Sequence, residues 1–234
     1  DDLYADAPDL GAPLLRALVP RAYVDFNRSS EDLDPALIQG LRRKSTNPRV
    51  VSGLGVIPRV VANGRHIYRG KIDLEDAHQR IKRYWRPYHD QLRAALDTTF
   101  RDYGEAILID CHSMPSEALD ALVTSAGKRP DIVLGDRFGA SSAVAITDKI
   151  AGPFEAQGFS VSRNVPFAGA FIAQNYGRPA LGQHVIQVEL NRALYMDERK
   201  IEKLPDFDDV KARISAAMAE IIEIGRDQVR LAAE

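Results

Sequence analysis

The sequence predicts an α/β fold with a largely parallel or mixed sheet, and three features carry that prediction. Two apolar runs, Ile107 to Ile109 and Val185 to Leu190, read as strands buried on both sides, the second interrupted by Gln187 and Glu189. Two long stretches, Leu74 to about Tyr103 and Phe207 to about Ala232, read as helices. Between them, strand-like and helix-like stretches alternate. A chain of 234 residues is within reach of one large α/β domain, and a single domain over 1–234 is expected.

In chain order, Asp9 to Leu18 reads as a short helix with Leu14, Leu15 and Leu18 on one face, closed by Pro20. Arg21 to Arg28 alternates apolar and polar residues and reads as a strand. Glu31 to Lys44 is charged and reads as a surface excursion with one helical turn. Val50 to Val61 reads as a strand broken by a tight turn, and Asn63-Gly64 as a hairpin turn. Asp73 is placed to cap the long helix, which Pro87 should kink or divide. The central strand follows from Glu105, and Ser116 to Ala126 reads as loop with some helix. Asp131 to Asp136 is a short strand, and a helix then runs from Ser141 and Ser142 to about Gln157, where Gly158 ends it. Phe159 to Arg163 is a strand, and Pro166 to Gly182 is a long glycine-bearing loop.

Composition narrows the function. A net charge of −2 offers no electrostatic case for nucleic acid or an acidic membrane surface. No apolar run approaches the roughly 20 residues of a membrane-spanning helix. The one cysteine forbids an internal disulfide and fits a reducing, cytoplasmic setting.

Strands of such sheets deliver chemistry where the chain leaves them. His112 stands at such an exit, open to three roles: metal ligand, general base, or satisfied core residue. Asp110, two residues earlier on the same strand face, would orient its ring. Glu189 interrupts an apolar strand. Burying a carboxylate is costly, so Glu189 is either a general base or half of a salt bridge with Arg192 or Arg178. Arg21, Arg28, Arg59, Arg69, Arg137 and Arg178 fall at strand ends or in glycine-bearing loops and would suit a small dianionic substrate. His184 opens the strand of Glu189. His66, His78 and His89 read as loop and helix residues. Cys111 should point away from His112 into the core.

Eight blocks resemble one family in its order: RAYVDFNR, GLGVIPR, IYRGKI, RPYH, LIDCHSMPS, DIVLGDRFG, NYGRP and QVELNRALYMDE. Together they resemble the zinc-dependent N-formylglutamate amidohydrolases, over about Gly11 to Glu198. The resemblance implies a three-layer α/β/α fold with a mixed central sheet, similar to the zinc carboxypeptidases and aspartoacylases (phosphorylase/hydrolase-like). It implies a cytoplasmic Zn2+ enzyme that releases formate from N-formyl-L-glutamate, the last step of one histidine-degradation route. His112 would be the downstream zinc ligand, Glu189 the residue that activates water, and Arg21 the one that polarises the scissile carbonyl. Asn27 and Arg28 would grip the substrate carboxylate, with Arg59, Arg69, Arg137 and Arg178 as further anchors.

The family's first zinc-binding histidine lies in a Pro-His-Ser-Gly block that has no match here. No HxxE occurs, the nearest pattern being His184 to Gln187. The chain opens at Asp1 without methionine, and the other ligands are expected upstream of Asp1. Two alternatives stay open: a related amidase acting on another N-acyl amino acid or a cell-wall peptide, and a metal-free module that binds an acidic metabolite.

Overall fold

The computed structural model describes residues 1–41, 45–61, 64–120 and 129–232, with side chains of the last helix as far as Gly225. The chain runs α1 (Ala7–Leu10), β1 (Ile38–Gln39), α2 (Pro48–Val51), β2 (Ile72–Asp73), α3 (Leu74–Arg80), α4 (Arg86–Tyr103), β3 (Ala106–Met114), β4 (Ile132–Gly135), α5 (Val144–Ala156), β5 (Val161–Arg163), α6 (Phe171–Tyr176), β6 (Gln183–Asn191), β7 (Met196–Asp197), β8 (Glu202–Lys203) and α7 (Phe207–Ala232). Set against the single domain expected, its internal contacts divide it into two compact units. One comprises Asp1–Leu15 with Leu96–Glu234, the other Arg16–Ala95.

The first unit is built on a four-stranded mixed sheet in the order β3-β6-β4-β5. β3 and β6 are parallel over nine register pairs, β4 runs antiparallel to β6, and β5 is parallel to β4. Strand alternation sorts the side chains onto two faces. Ile186, Val188 and Leu190 of β6 join Ile132 and Leu134 of β4 in one core with Ile150 and Phe154 of α5 and Ile214 and Ala217 of α7. Most of these are wholly buried, each aliphatic or aromatic side chain contributing roughly 1.5–3 kcal/mol by removal from water. The opposite alternation belongs to Gln187, Glu189 and Asn191, in register with Asp110, His112 and Met114 of β3. On that side Met114 and Val133 cluster with Leu119 and Phe167.

At the other end of these strands His184 is a brace. Its Nδ1 accepts the Ala143 amide at 3.1 Å and its Nε2 donates to Glu105 at 3.0 Å, so one imidazole ties the starts of β6, α5 and β3 together.

The second unit departs most from expectation. RAYVDFNR is a run of turns: Tyr23 and Val24 donate their amides to the Pro20 carbonyl, and Asp25 Oδ1 accepts the amide of Asn27. The buried alternation of Val24 and Phe26 is real, but the backbone is held by turns, and by the Asp25 amide on the Val56 carbonyl, rather than by a ladder. Val50 to Val61 likewise begins as α2, capped by Asn47, and continues as turns. Glu31 to Lys44 is no mere surface loop, since Leu37 and Ile38 are fully buried and β1 pairs with β2. Asn63 and residues 42–44 lie outside the described residues, as do residues 121–128.

The long helix begins at Leu74 as expected and divides at Ile81–Trp85, a wider π-helical turn. Pro87 follows directly, and its missing N–H cannot close an ordinary turn onto Arg83. In the first unit α1 stops at Gly11, which adopts a left-handed φ of 102°. The 166–182 loop carries its own helix, α6.

Candidate active site

β3 and β6 bring two of the expected residues side by side: His112 and Glu189 are register partners on adjacent parallel strands. His112 Nε2 lies 2.9 Å from Asp110 Oδ1, both side chains largely buried. The carboxylate fixes the ring, and a neutral imidazole so held carries its lone pair on Nδ1. That is the chemistry of a metal-binding histidine backed by a carboxylate. Among the described residues no group of three or more His, Cys, Asp or Glu is disposed to hold a metal ion.

Glu189 is 7% exposed. Its Oε1 accepts from Gln187 Nε2 at 2.8 Å. The arginines considered as salt-bridge partners are engaged elsewhere. Arg192 donates to Ser113 Oγ and the Ser113 carbonyl, both at 3.2 Å. Arg178 donates to the Gln174 and Gly177 carbonyls. Arg178 also pairs with Gln183, six residues and roughly 20 Å along the strand from Glu189, so it is not brought to the His112–Glu189 pair.

Arg137 sits in a tight loop after β4. Arg137 and Phe138 both have left-handed φ, 54° and 56°. Asn164 holds the loop: its Oδ1 accepts the Asp136 and Phe138 amides and its Nδ2 donates to Asp136. The Arg137 guanidinium lies 3.4 Å from the Gly169 carbonyl. Such over-determined backbone is found at ligand clamps more than elsewhere.

In the second unit, Arg21 grips the buried Asp25 carboxylate through both Nε (3.1 Å) and Nη2 (2.8 Å). Asn27 is 3% exposed. Arg28 donates to the Leu54 carbonyl at 3.0 Å and the Asn27 carbonyl at 2.7 Å. Burial pushes the Arg28 guanidinium below its ordinary value, against the pull of Asp25. Arg59 is paired with Asp34 at 2.9 Å. Arg59 and the exposed Arg69 line a hollow of about 280 Å³ together with His66, Tyr68 and Lys71.

Several contributors escaped sequence reading. Trp85 Nε1 donates to the Arg28 carbonyl and His89 Nε2 to the Phe26 carbonyl, both at 2.9 Å, their rings stacked at 3.8 Å. These two side chains pin the carbonyls of the residues on either side of Asn27. Asp25 accepts from the Arg21 guanidinium, and Gln187 donates to the Glu189 carboxylate. For Gln187 the available signal was a polar residue two positions from Glu189 on the same strand face; Trp85 and His89 carried none.

Cys111 is a partial correction. It was expected in the core, yet it keeps solvent-accessible surface. Atoms crowd its thiol all the same, and that burial, followed by the Asp110 charge, pushes its pKa up to about 12. The thiol stays protonated near neutrality and is no nucleophile.

The mixed sheet thus sets His112, backed by Asp110, beside the buried Glu189. The family model for N-formylglutamate amidohydrolase matches residues 1–196. The N-formylglutamate deformylase of Pseudomonas putida is 34% identical over 201 residues, covering 84% of this chain and 68% of that protein. The Pseudomonas aeruginosa protein of the same name is 32% identical over 200 residues, covering 84% and 69%. A crystal structure of N-formylglutamate amidohydrolase from Ralstonia eutropha JMP134 superposes with a TM-score of 0.89 at 31% identity, covering 97% of this chain and 82% of that one. The chain belongs to the N-formylglutamate amidohydrolase family.

Proposed function

We propose that this chain hydrolyses the formyl amide of N-formyl-L-glutamate to formate and L-glutamate, as a Zn2+-dependent cytoplasmic enzyme closing a route of histidine degradation. The observation that carries the reading is the register pairing of His112 with Glu189, each backed by a second polar side chain, in a chain of this family. The names of two relatives at 34% and 32% identity support the substrate. The mixed sheet supports a zinc-carboxypeptidase-like three-layer arrangement.

His112 would be a zinc ligand. Zinc at this site would supply Lewis acidity toward water and the amide carbonyl. Glu189 takes the proton of the attacking water and delivers it to the departing nitrogen, so that one C–N bond breaks as one C–O bond forms. Arg21, oriented by Asp25, is assigned to the scissile carbonyl. Asn27 and Arg28 are assigned to the substrate carboxylates, with Arg59, Arg69 and Arg137 as further anchors. Arg178, turned onto backbone carbonyls, is better placed to brace its own loop.

The test, made on the full-length protein, is formate release from N-formyl-L-glutamate beside N-acetyl-L-glutamate, with zinc measured by elemental analysis. About one zinc per chain, and formate release that a chelator abolishes, is the expected result. Zinc with cleavage of the acetyl compound alone would move the substrate to another N-acyl amino acid. Neither zinc nor cleavage would favour the metal-free binding module.

A further inference from the structure

Gln187 is buried, 4% exposed, on the face of β6 that carries Glu189. Its amide is engaged at both ends. Oε1 accepts the backbone amide of Ala170 at 3.0 Å, and Nε2 donates to Glu189 Oε1 at 2.8 Å. This fixes which way the amide points. A backbone N–H only donates and a carboxylate only accepts, so the reversed amide would set donor against donor and acceptor against acceptor. The donor side is thereby aimed permanently at Glu189.

The other end of this clamp is equally constrained. Ala170 follows Phe167, Ala168 and Gly169, whose backbone lies directly on Gly135 of β4, the register partner of Gln187. A Cβ at Gly135 would come within 2.6 Å of Ala168 C and Gly169 N. Close backbone approach at Gly135 therefore sets where the Ala170 amide stands, and Gln187 transmits that position to the Glu189 carboxylate.

We infer that Gln187 is a positioning residue for the proposed reaction: it holds the Glu189 carboxylate in the orientation that proton transfer needs, acting from the 166–170 loop through its amide. The inference rests on the base role proposed for Glu189. Gln187 touches Glu189 and not the reacting atoms, so its loss should appear in turnover rather than in capture of substrate.

The test compares Gln187→Met and Gln187→Leu, which approximate the length or bulk of Gln187 and remove its donor. Both should lower kcat roughly 10- to 100-fold, the scale of one lost hydrogen bond to a charged group, while KM stays within about twofold and zinc content is unchanged. Crystal structures of the variants should show the Glu189 carboxylate rotated from its wild-type position. Wild-type kcat in either folded variant, or an unmoved Glu189 carboxylate, would overturn the inference. Should the wild-type chain release no formate, the proposed function fails, and the position of Glu189 in the variants still decides the role of Gln187.

Discussion

At the residue scale the chain favours side chains that hold other side chains or backbone carbonyls. Arg28 is the clearest case, half-sunk and donating to the carbonyls of Leu54 and Asn27. Its replacement therefore carries two consequences. Arg28→Ala should raise KM for an acidic substrate and also destabilise the fold by about 2 kcal/mol or more, since two carbonyls lose a charged donor. Urea melts read beside steady-state kinetics check this, and an unchanged KM would remove Arg28 from substrate capture. Cys111 gives a prediction with a definite sign. With its pKa raised to about 12, the thiolate fraction at pH 8 is on the order of one in ten thousand. Iodoacetamide should label the folded protein far more slowly than the unfolded one at pH 8, despite the solvent access of Cys111. Equal labelling rates, read by mass spectrometry, would contradict the burial argument.

At the scale of elements, legibility followed the source of the backbone hydrogen bonds. β3, β6, β4, α5 and α7 were all visible in the sequence because ladders and helices impose periods of two and 3.6 on residues that must face one core. The strands expected at RAYVDFNR and across Val50 to Val61 failed because local turns satisfy the backbone there: Tyr23 and Val24 donate to the Pro20 carbonyl, and Arg59 and Val60 to the Gly53 carbonyl. Asp25, Asp32, Asp34 and Asn47 accept the amides of Asn27, Ser29, Ala36 and Arg49. Such turns bury alternate residues without forming a sheet. The site was legible to the same degree. His112, Asp110 and Glu189 stood out as polar residues in apolar strands, whereas Trp85 and His89 act on carbonyls far away in sequence. The most exposed dependence of an element on one residue is Gly135. Gly135→Ala should displace the 167–170 backbone, draw the Ala170 amide from Gln187 and lower kcat with it. Full activity in a folded Gly135→Ala variant would show that the close approach at Gly135 does not control Glu189.

For the whole molecule, the bulk numbers set limits and the comparisons set the family. The net charge is −2, and among the described residues no helix is long and apolar enough to cross a membrane. The measurement that bears most directly on the whole account is formate release from N-formyl-L-glutamate by the wild-type chain and by Glu189→Gln, side by side. The account predicts release by the wild type and a kcat lower by roughly 10²- to 10⁴-fold in the variant, with melting and zinc content unchanged. A wild type that releases no formate, or a variant that keeps its full rate, would contradict it.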